Sequence, residues 1–353
     1  MNIMLISQLP PPSGGIATWS KAYLNYMSEK ENVEISCVNC ALKGERADNF
    51  NAKRNIFTEI KRAIDIVKDT YKKAKSNIDI VHLNSSCSAL GILRDWFCIK
   101  MIKKSVPIVL HCHCTVQDQL GNNNLSKCFF KKVVNRANEI IVLNKVSQDW
   151  VLTETGRKAL VLPNFIDKDL VVENKKKKTT EIKEVFFAGH LLESKGIKEM
   201  AAIAEKNPGI HFTFAGVYTD EMKIFLDKCN ITLLGDVAHE TVLNYLDKSD
   251  LYLFLSHTEG FSISLLEAMA RGVPTLVSNV GANKDMVGDC GGIIVKAKNA
   301  NSAVNGFKEA SQLTAEDYDA ISMTEISKVK AYYLTNVVLD KLLDLYKEME
   351  DEK

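Results

Sequence analysis

Long apolar runs are missing from this sequence of 353 residues. None reaches the ~18 residues that a membrane-spanning helix needs, so a spanning segment is not expected. Proline is scarce, at 7 residues against 18 glycines, which excludes collagen-like chains. No internal repeat of about 20 to 50 residues is visible, so repeat architectures drop out. The text G-x-G-x-x-G is absent after the first strand, and with it the fingerprint of a two-domain NAD-dependent oxidoreductase. The opening MNIMLISQLPPPSGG has no basic leader and no small-residue cleavage site; it reads as a first strand, and a cytoplasmic location is expected. The nine cysteines are odd in number and scattered through apolar or helical text, which points to reduced thiols rather than a disulfide framework.

What remains is an ordinary globular composition, 46% apolar and 25% charged, in a chain long enough for about two domains. The formal net charge of +1 hides an asymmetry. Residues 1 to 170 carry 24 Lys and Arg against 16 Asp and Glu, and the rest carry 21 against 28. A basic front half suits an anionic partner such as a membrane surface or a phosphorylated lipid, although solvated helix faces account for it equally well.

Short β-branched runs alternate with stretches of helical period, the pattern of α/β domains with parallel sheets. The first series of strands is expected at Asn2–Ser7, Val33–Val38, Ile78–Leu83, Pro107–His111, Glu139–Leu143 and Ala159–Leu162, with helices between them. From Pro163 to Lys183 the apolar period stops, and a run of lysines from Lys175 to Lys178 followed by Thr179 and Thr180 reads as a linker. A second βαβ series follows, with strands expected at Glu184–Ala188, Ile210–Ala215, Ile231–Leu234, Leu251–Leu255, Thr275–Val277 and Gly292–Val295. The final stretch from Ile326 to Glu350 then places apolar residues at roughly helical spacing. Two doubly wound domains place ligands at the carboxyl ends of their strands. The expected division is 1–168 and 182–335.

The most informative text is Ser256-His-Thr-Glu259-Gly260-Phe261-Ser262-Ile263-Ser-Leu-Leu-Glu267-Ala-Met-Ala-Arg-Gly272-Val-Pro274. It begins where a strand ends. Gly260 permits a tight turn, and a helix starting near Ser262 offers unpaired amides and a positive dipole end, a seat for a diphosphate. Glu259 falls in the loop and Glu267 about one and a half turns into the helix. On their own these carboxylates are equally consistent with a loop acid and a buried, paired helix residue. This text resembles the retaining nucleotide-sugar glycosyltransferases of family 4, whose donor domain carries E-x(7)-E followed by E-A-M-A-x-G-x-P. The resemblance implies that Glu259 contacts the transferred sugar, that Glu267 holds the nucleotide ribose, and that the backbone of Phe261, Ser262 and Ile263 binds the phosphates. Ser262 stands where the family often has Gly, and a serine is a good helix cap there.

Other segments extend the likeness. Gly189-His190-Leu-Leu-Glu-Ser-Lys195-Gly196 is similar to the family text G-R-L-x-x-x-K-G, whose Arg and Lys neutralise the donor diphosphate. Lys195 matches. His190 replaces the arginine, and a mostly neutral imidazole cannot supply a bidentate cation. Gly235-Asp236-Val237 resembles the loop that presents backbone groups to the base, and Pro163-Asn-Phe-Ile-Asp167 resembles the text that closes the first domain. In the first half, Gly14 and Gly15 resemble the glycine loop that approaches the donor phosphates; read alone, they cap a helix. His111-Cys-His113-Cys114 follows an apolar strand, with both histidines on one face and both cysteines on the other. A metal site recruiting Cys37 and Cys40 is the weaker reading, because zinc ligands converge from paired motifs. The family likeness makes His113 the histidine near sugar and acceptor, with His82 a further matching position.

The implied fold is GT-B: two Rossmann-like, doubly wound parallel-sheet domains facing across a cleft, with a terminal helix from about 336 to 353 that returns to the first domain. The implied reaction moves a sugar, with retention, from a nucleotide diphosphate-sugar, UDP being the commonest carrier, to a glycan or lipid-linked glycan in bacterial surface polysaccharide synthesis. His113, Glu259 and Lys195 are the expected catalytic residues. Gly14, Gly15, Gly189, His190, Lys195, Asp236, Val237, Phe261, Ser262, Ile263 and Glu267 are expected to hold the donor. No cofactor or metal is called for, and neither is nucleic acid; peripheral membrane contact through the basic first domain is expected. A GT-B module that binds nucleotide-sugar or glycan without turnover is the alternative.

Overall fold

A computed structural model describes residues 1–12, 14–42, 55–173, 181–228 and 230–351. The expected lysine-rich linker stretch from 175 to 180 lies outside the described residues. Two compact units divide the chain: Met1–Asn164 together with Thr335–Lys353, and Phe165–Leu334.

The first unit is built on β1 (Asn2–Ser7), β2 (Glu34–Asn39), β3 (Ile80–Ser85), β4 (Ile108–Cys112), β5 (Glu139–Val142) and β6 (Leu160–Val161). These strands form one parallel sheet in the order β2-β1-β3-β4-β5-β6. Apolar runs such as Ile80-Val81 and Ile108-Val109-Leu110 are buried on both faces, as a parallel sheet covered by helices demands. The covering helices are α1 (Gly15–Ser28), α2 (Ile56–Lys73), α3 (Ala89–Lys100), α4 (Val116–Leu120), α5 (Asn124–Arg136) and α6 (Lys145–Thr155). Asn side chains cap three of them: Asn55, Asn123 and Asn144 each accept a first-turn amide.

The second unit carries β7 (Glu184–Ala188), β8 (His211–Ala215), β9 (Ile231–Gly235), β10 (Leu251–Phe254), β11 (Thr275–Ser278) and β12 (Ile293–Val295). Their order is β12-β11-β10-β7-β8-β9, again wholly parallel. Starting from β7, this is the strand order of dinucleotide-binding domains, with its reversal between β7 and β10. The helices are α7 (Ile197–Lys206), α8 (Asp220–Phe225), α9 (His239–Lys248), α10 (Ile263–Ala270), α11 (Asn283–Val287), α12 (Ala300–Ser311) and α13 (Ala315–Tyr332). Phe186, Phe187, Phe212, Phe214 and Phe307 fill the core; each such ring contributes about 1.5–3 kcal/mol of burial.

Apolar residues keep roughly helical spacing from Ile326 to Glu350, yet the structure divides this stretch, close to the expected start of the terminal helix at about 336. The chain breaks at Tyr333-Leu334 into α13 and a final helix α14 (Thr335–Asp351). The break has a cause far away in sequence: the Ile166 amide donates to the Tyr333 carbonyl at 3.0 Å, and Ile166 bridges Leu334 in parallel fashion. Beyond the break, α14 belongs to the first unit. It buries Val338, Leu339, Leu342 and Tyr346, and the Tyr26 hydroxyl donates to Asp340 at 2.8 Å.

Glu325 on α13 is fully buried, and one of its oxygens accepts from the Thr275 hydroxyl at 2.9 Å. Burial pushes its carboxyl from the ordinary 4.5 up to about 8. A folded-state pKa above the unfolded one favours folding at low pH, and that contribution is lost as pH rises toward about 8. Glu325→Gln is therefore expected to raise stability at pH 8 by roughly 2 kcal/mol and to change little near pH 4. Urea midpoints at the two pH values check this, and equal shifts at both would contradict it.

Candidate functional site

In the second unit the strand order itself gathers the residues that the sequence singles out. β7 runs into Gly189 and His190, then into the turn that carries Lys195. Its sheet neighbour β10 runs into the loop that carries Glu259, Gly260 and Phe261. Lys195 Nζ donates to Glu259 Oε2 at 2.6 Å, and the ammonium lies 5.8 Å from the centre of the Phe254 ring.

Two backbone approaches fix these loops. A Cβ on Gly196 would stand 2.1 Å from the Leu255 carbonyl oxygen, so the turn after Lys195 needs glycine to lie on the end of β10. A Cβ on Gly281, at φ +52°, would stand 1.6 Å from the Glu259 carbonyl oxygen. The His257 amide donates to the Ser194 carbonyl at 2.8 Å, and its imidazole meets Glu199 on α7 at 3.0 Å.

Ser262 caps α10, accepting the Leu265 amide at 3.1 Å. The amides of Ile263 and Ser264 in the first turn have no partner within the helix. Glu267 lies one turn further on, buried, with Oε1 2.7 Å from His239 Nε2 at the start of α9. That hydrogen bond raises His239 above its ordinary pKa, against the smaller effect of desolvation. Asp236 and Val237 follow β9, at the opposite end of the order β7-β8-β9 from β10. Burial and the Lys195 charge lower His190, so it is neutral at pH 7 and supplies no second cation beside Lys195.

Gly14, Gly15 and His113 belong to the first unit, at the carboxyl ends of β1 and β4. Here a chain of hydrogen bonds has a single direction. The Ser20 hydroxyl donates to the Ile16 carbonyl at 2.8 Å, so it must accept from Ser7 at 2.6 Å. Ser7 then accepts from Asn84 Nδ2 at 2.9 Å, which turns Asn84 Oδ1 toward two histidines. His82 Nε2 and His113 Nε2 each lie 2.9 Å from that oxygen, and both must donate. Burial lowers each of them to about 3, so both rings are neutral. His82 Nδ1 accepts from Tyr346 on α14 at 2.6 Å, and the half-buried His113 is left with an unprotonated Nδ1.

The rings of His111 and His113 lie on one face with centroids 4.0 Å apart, while Cys112 and Cys114 on the other face meet Cys87. Among the described residues no group of three His, Cys, Asp or Glu side chains is placed to hold a metal ion. Asn84, His239, His257 and Gly281 carry no local signal of their own. Each matters through a contact that only the folded chain creates.

Residues 171–323 match the pattern of the family described as glycosyl transferases group 1. The chain is 23% identical over 325 residues to an uncharacterized 41.2 kDa protein in the cps region of Klebsiella pneumoniae, covering 86% of this chain and 88% of that one. It is 25% identical over 306 residues to the 2-deoxystreptamine N-acetyl-D-glucosaminyltransferase of Niallia circulans, covering 78% of each. Among solved structures, sucrose-phosphate synthase from Thermosynechococcus elongatus superposes with a TM-score of 0.79 at 14% identity, covering all of both chains. Anabaena Alr3699/HepE, solved with UDP and glucose, gives 0.70 at 15% identity over 99% of this chain and 100% of that one. These matches support a group 1 glycosyltransferase. The fold is GT-B. Among the described residues, no helix of the chain is long and apolar enough to cross a membrane.

Two spectroscopic predictions follow from the hydrogen bonds. Nitrogen-15 spectra are expected to show His113 neutral and protonated on Nε2 from about pH 5 to 8, and Asn84→Asp is expected to raise its pKa by giving the ring a carboxylate partner. A wild-type His113 that titrates in that range would overturn the assigned tautomer. For His239, Glu267→Gln is expected to return the pKa toward its ordinary value, as followed by proton NMR titration. Because the folded-state value is raised, the pair stabilises the fold at low pH, and its contribution fades as pH rises through the His239 pKa.

Proposed function

We propose that this glycosyltransferase moves a sugar, with retention at the anomeric carbon, from a nucleotide diphosphate-sugar to a glycan or lipid-linked glycan during surface polysaccharide synthesis in the cytoplasm. The observation that carries this reading is the convergence of Lys195, Glu259 and the capped start of α10 where the second sheet reverses its strand order. A UDP-sugar is the favoured donor. The UDP bound by the Anabaena structure and the cps-region setting of the Klebsiella relative support donor and pathway respectively.

In this proposal charge develops on the departing diphosphate, and the protein's task is electrostatic. Lys195 leaves its ion pair with Glu259 for the phosphates, which frees Glu259 to accept sugar hydroxyls. The α10 amides near Ser262 and Ile263 receive phosphate oxygens. Glu267 keeps one oxygen on His239 and offers the other to the ribose. Gly189, Phe261 and the Asp236-Val237 loop line the donor site, with neutral His190 as a hydrogen-bonding group rather than a cation. The family likeness assigns Gly14 and Gly15 to the donor phosphates and His113 to sugar and acceptor, where its Nδ1 accepts a hydrogen bond from a hydroxyl. No divalent metal is needed for these roles, and the leaving phosphate itself assists the acceptor hydroxyl in a front-face route.

The test is a thermal-shift panel with UDP, GDP, ADP, their sugar conjugates and NAD, repeated with chelator. UDP at about 100 times its Kd should stabilise by ~2.7 kcal/mol and survive chelation. Lys195→Ala and Glu267→Ala are expected to cut turnover about 100-fold or more with the fold intact. Unchanged transfer in both variants contradicts the donor site, and a response to NAD alone contradicts the reading as a whole.

A further inference from the structure

Helix α2 turns most of its apolar side chains away from the core, with Ile66 buried and Val67 packed against it at the edge. Ile66, Thr70 and Glu59 point inward and are buried. At about 100° per residue, Ile56, Phe57, Ile60, Ile64, Val67 and Tyr71 fall within a second arc roughly 100° wide. This arc is largely open to solvent: Phe57 is 79% exposed and Ile56 57%, with Ile60, Ile64 and Tyr71 near half. Helix α3, packed alongside, adds Leu90 and Phe97 to the same exposed surface. A contiguous apolar patch of this kind marks an interaction surface.

The charge beside the patch identifies what it meets. Lys61, Lys68 and Lys72 follow the arc along one border, and none of them forms an ion pair among the described residues. Lys75 lies over the exposed Tyr71 ring. An apolar helix face with lysines along its edge is the arrangement that lies in the interface of an anionic bilayer, rings and branched chains inward and ammonium groups at the headgroups. A cavity of about 580 Å³ lies between α2 and α3, lined by Ile60, Ile64, Leu93 and Phe97. Its lining includes Gln8 and Ser86, each one residue beyond the carboxyl end of a strand, β1 and β3. The patch is therefore continuous with the strand-end edge that carries Gly14 and Asn84.

From this we infer that the α2–α3 face docks on a lipid bilayer bearing anionic headgroups. The inference rests on the lipid-linked acceptor proposed above and names the surface that brings the protein to it. Docking here sets the strand ends of the first unit beside the membrane, where an acceptor on a lipid anchor is presented.

Co-sedimentation of the full chain with phosphatidylglycerol-containing and pure phosphatidylcholine vesicles tests it. The wild type is expected to pellet with the anionic vesicles and to be released by salt. Phe57→Ser combined with Ile60→Ser is expected to weaken that partitioning about tenfold or more. Lys61→Gln, Lys68→Gln and Lys72→Gln should each cost about fivefold. All five positions are exposed, so melting temperature and the UDP thermal shift should stay at wild-type values. Wild-type protein that ignores both vesicles, or a Phe57/Ile60 variant that binds as wild type does, overturns the inference. So does a wild-type dimer that the same variant converts to monomer, because a second copy would then cover the patch. Failure of the UDP shift with vesicle binding intact would strike at the donor reading alone.

Discussion

Parallel strand pairing is the constraint on which everything else depends. When all strands of a sheet point one way, every strand-to-helix loop emerges at the same edge, and helix starts with their unpaired amides line it. Where the winding reverses, two such loops part and leave room for a ligand. In the second unit that place falls between β7 and β10, so Lys195 and Glu259, 64 residues apart, meet at 2.6 Å. The close approaches at Gly196 and Gly281 follow from the same geometry, because loops crowded onto one edge leave no room for a Cβ.

In the first unit the strand ends are organised by hydrogen-bond polarity instead. A helix carbonyl can only accept, and from the Ile16 carbonyl that restriction passes through Ser20, Ser7 and Asn84 to two imidazoles. Buried rings in a low-dielectric setting stay neutral, so each has one donor and one acceptor nitrogen, and the chain decides which is which. Tyr346 closes the other side by donating to His82, with Tyr23 3.1 Å behind it. The final helix is thus part of the apparatus that orients His113, as well as a cover for the core.

Legibility in the sequence followed the range of the interaction concerned. β7 was legible to the residue from Glu184-Val-Phe-Phe-Ala188, because a buried parallel strand is a local apolar run. Glu259, Glu267 and Lys195 were singled out by their likeness to family text, because spacing alone left both carboxylates open; the structure adds that Lys195 and Glu259 meet at 2.6 Å. The start of the last helix near 336 came from the family likeness and not from spacing, since the helical spacing of apolar residues continues across Tyr333 and the interruption comes from Ile166, 167 residues earlier. Asn84 and His239 were illegible for the same reason: an Asn after a strand and a His at a helix start acquire their roles only from partners that the sheet order brings near.

Helix α2 shows where periodicity misleads even when the helix itself is predicted correctly. A pattern with apolar residues at Ile56, Ile60, Ile64, Val67 and Tyr71 reads as a core-facing stripe, and the usual inference would turn that stripe inward. Of that stripe only Val67 packs against the core; the structure turns in Glu59, Ile66 and Thr70, where Glu59 pairs with Arg62 at 2.6 Å and Thr70 donates to the Ile66 carbonyl at 2.9 Å. A helix that spends polar side chains on its inner face and leaves its strongest apolar arc outside gives up hydrophobic stabilisation in the isolated chain. That arrangement is consistent with a fold whose apolar surface is completed by something other than its own core, and the row of lysines along the arc favours an anionic one.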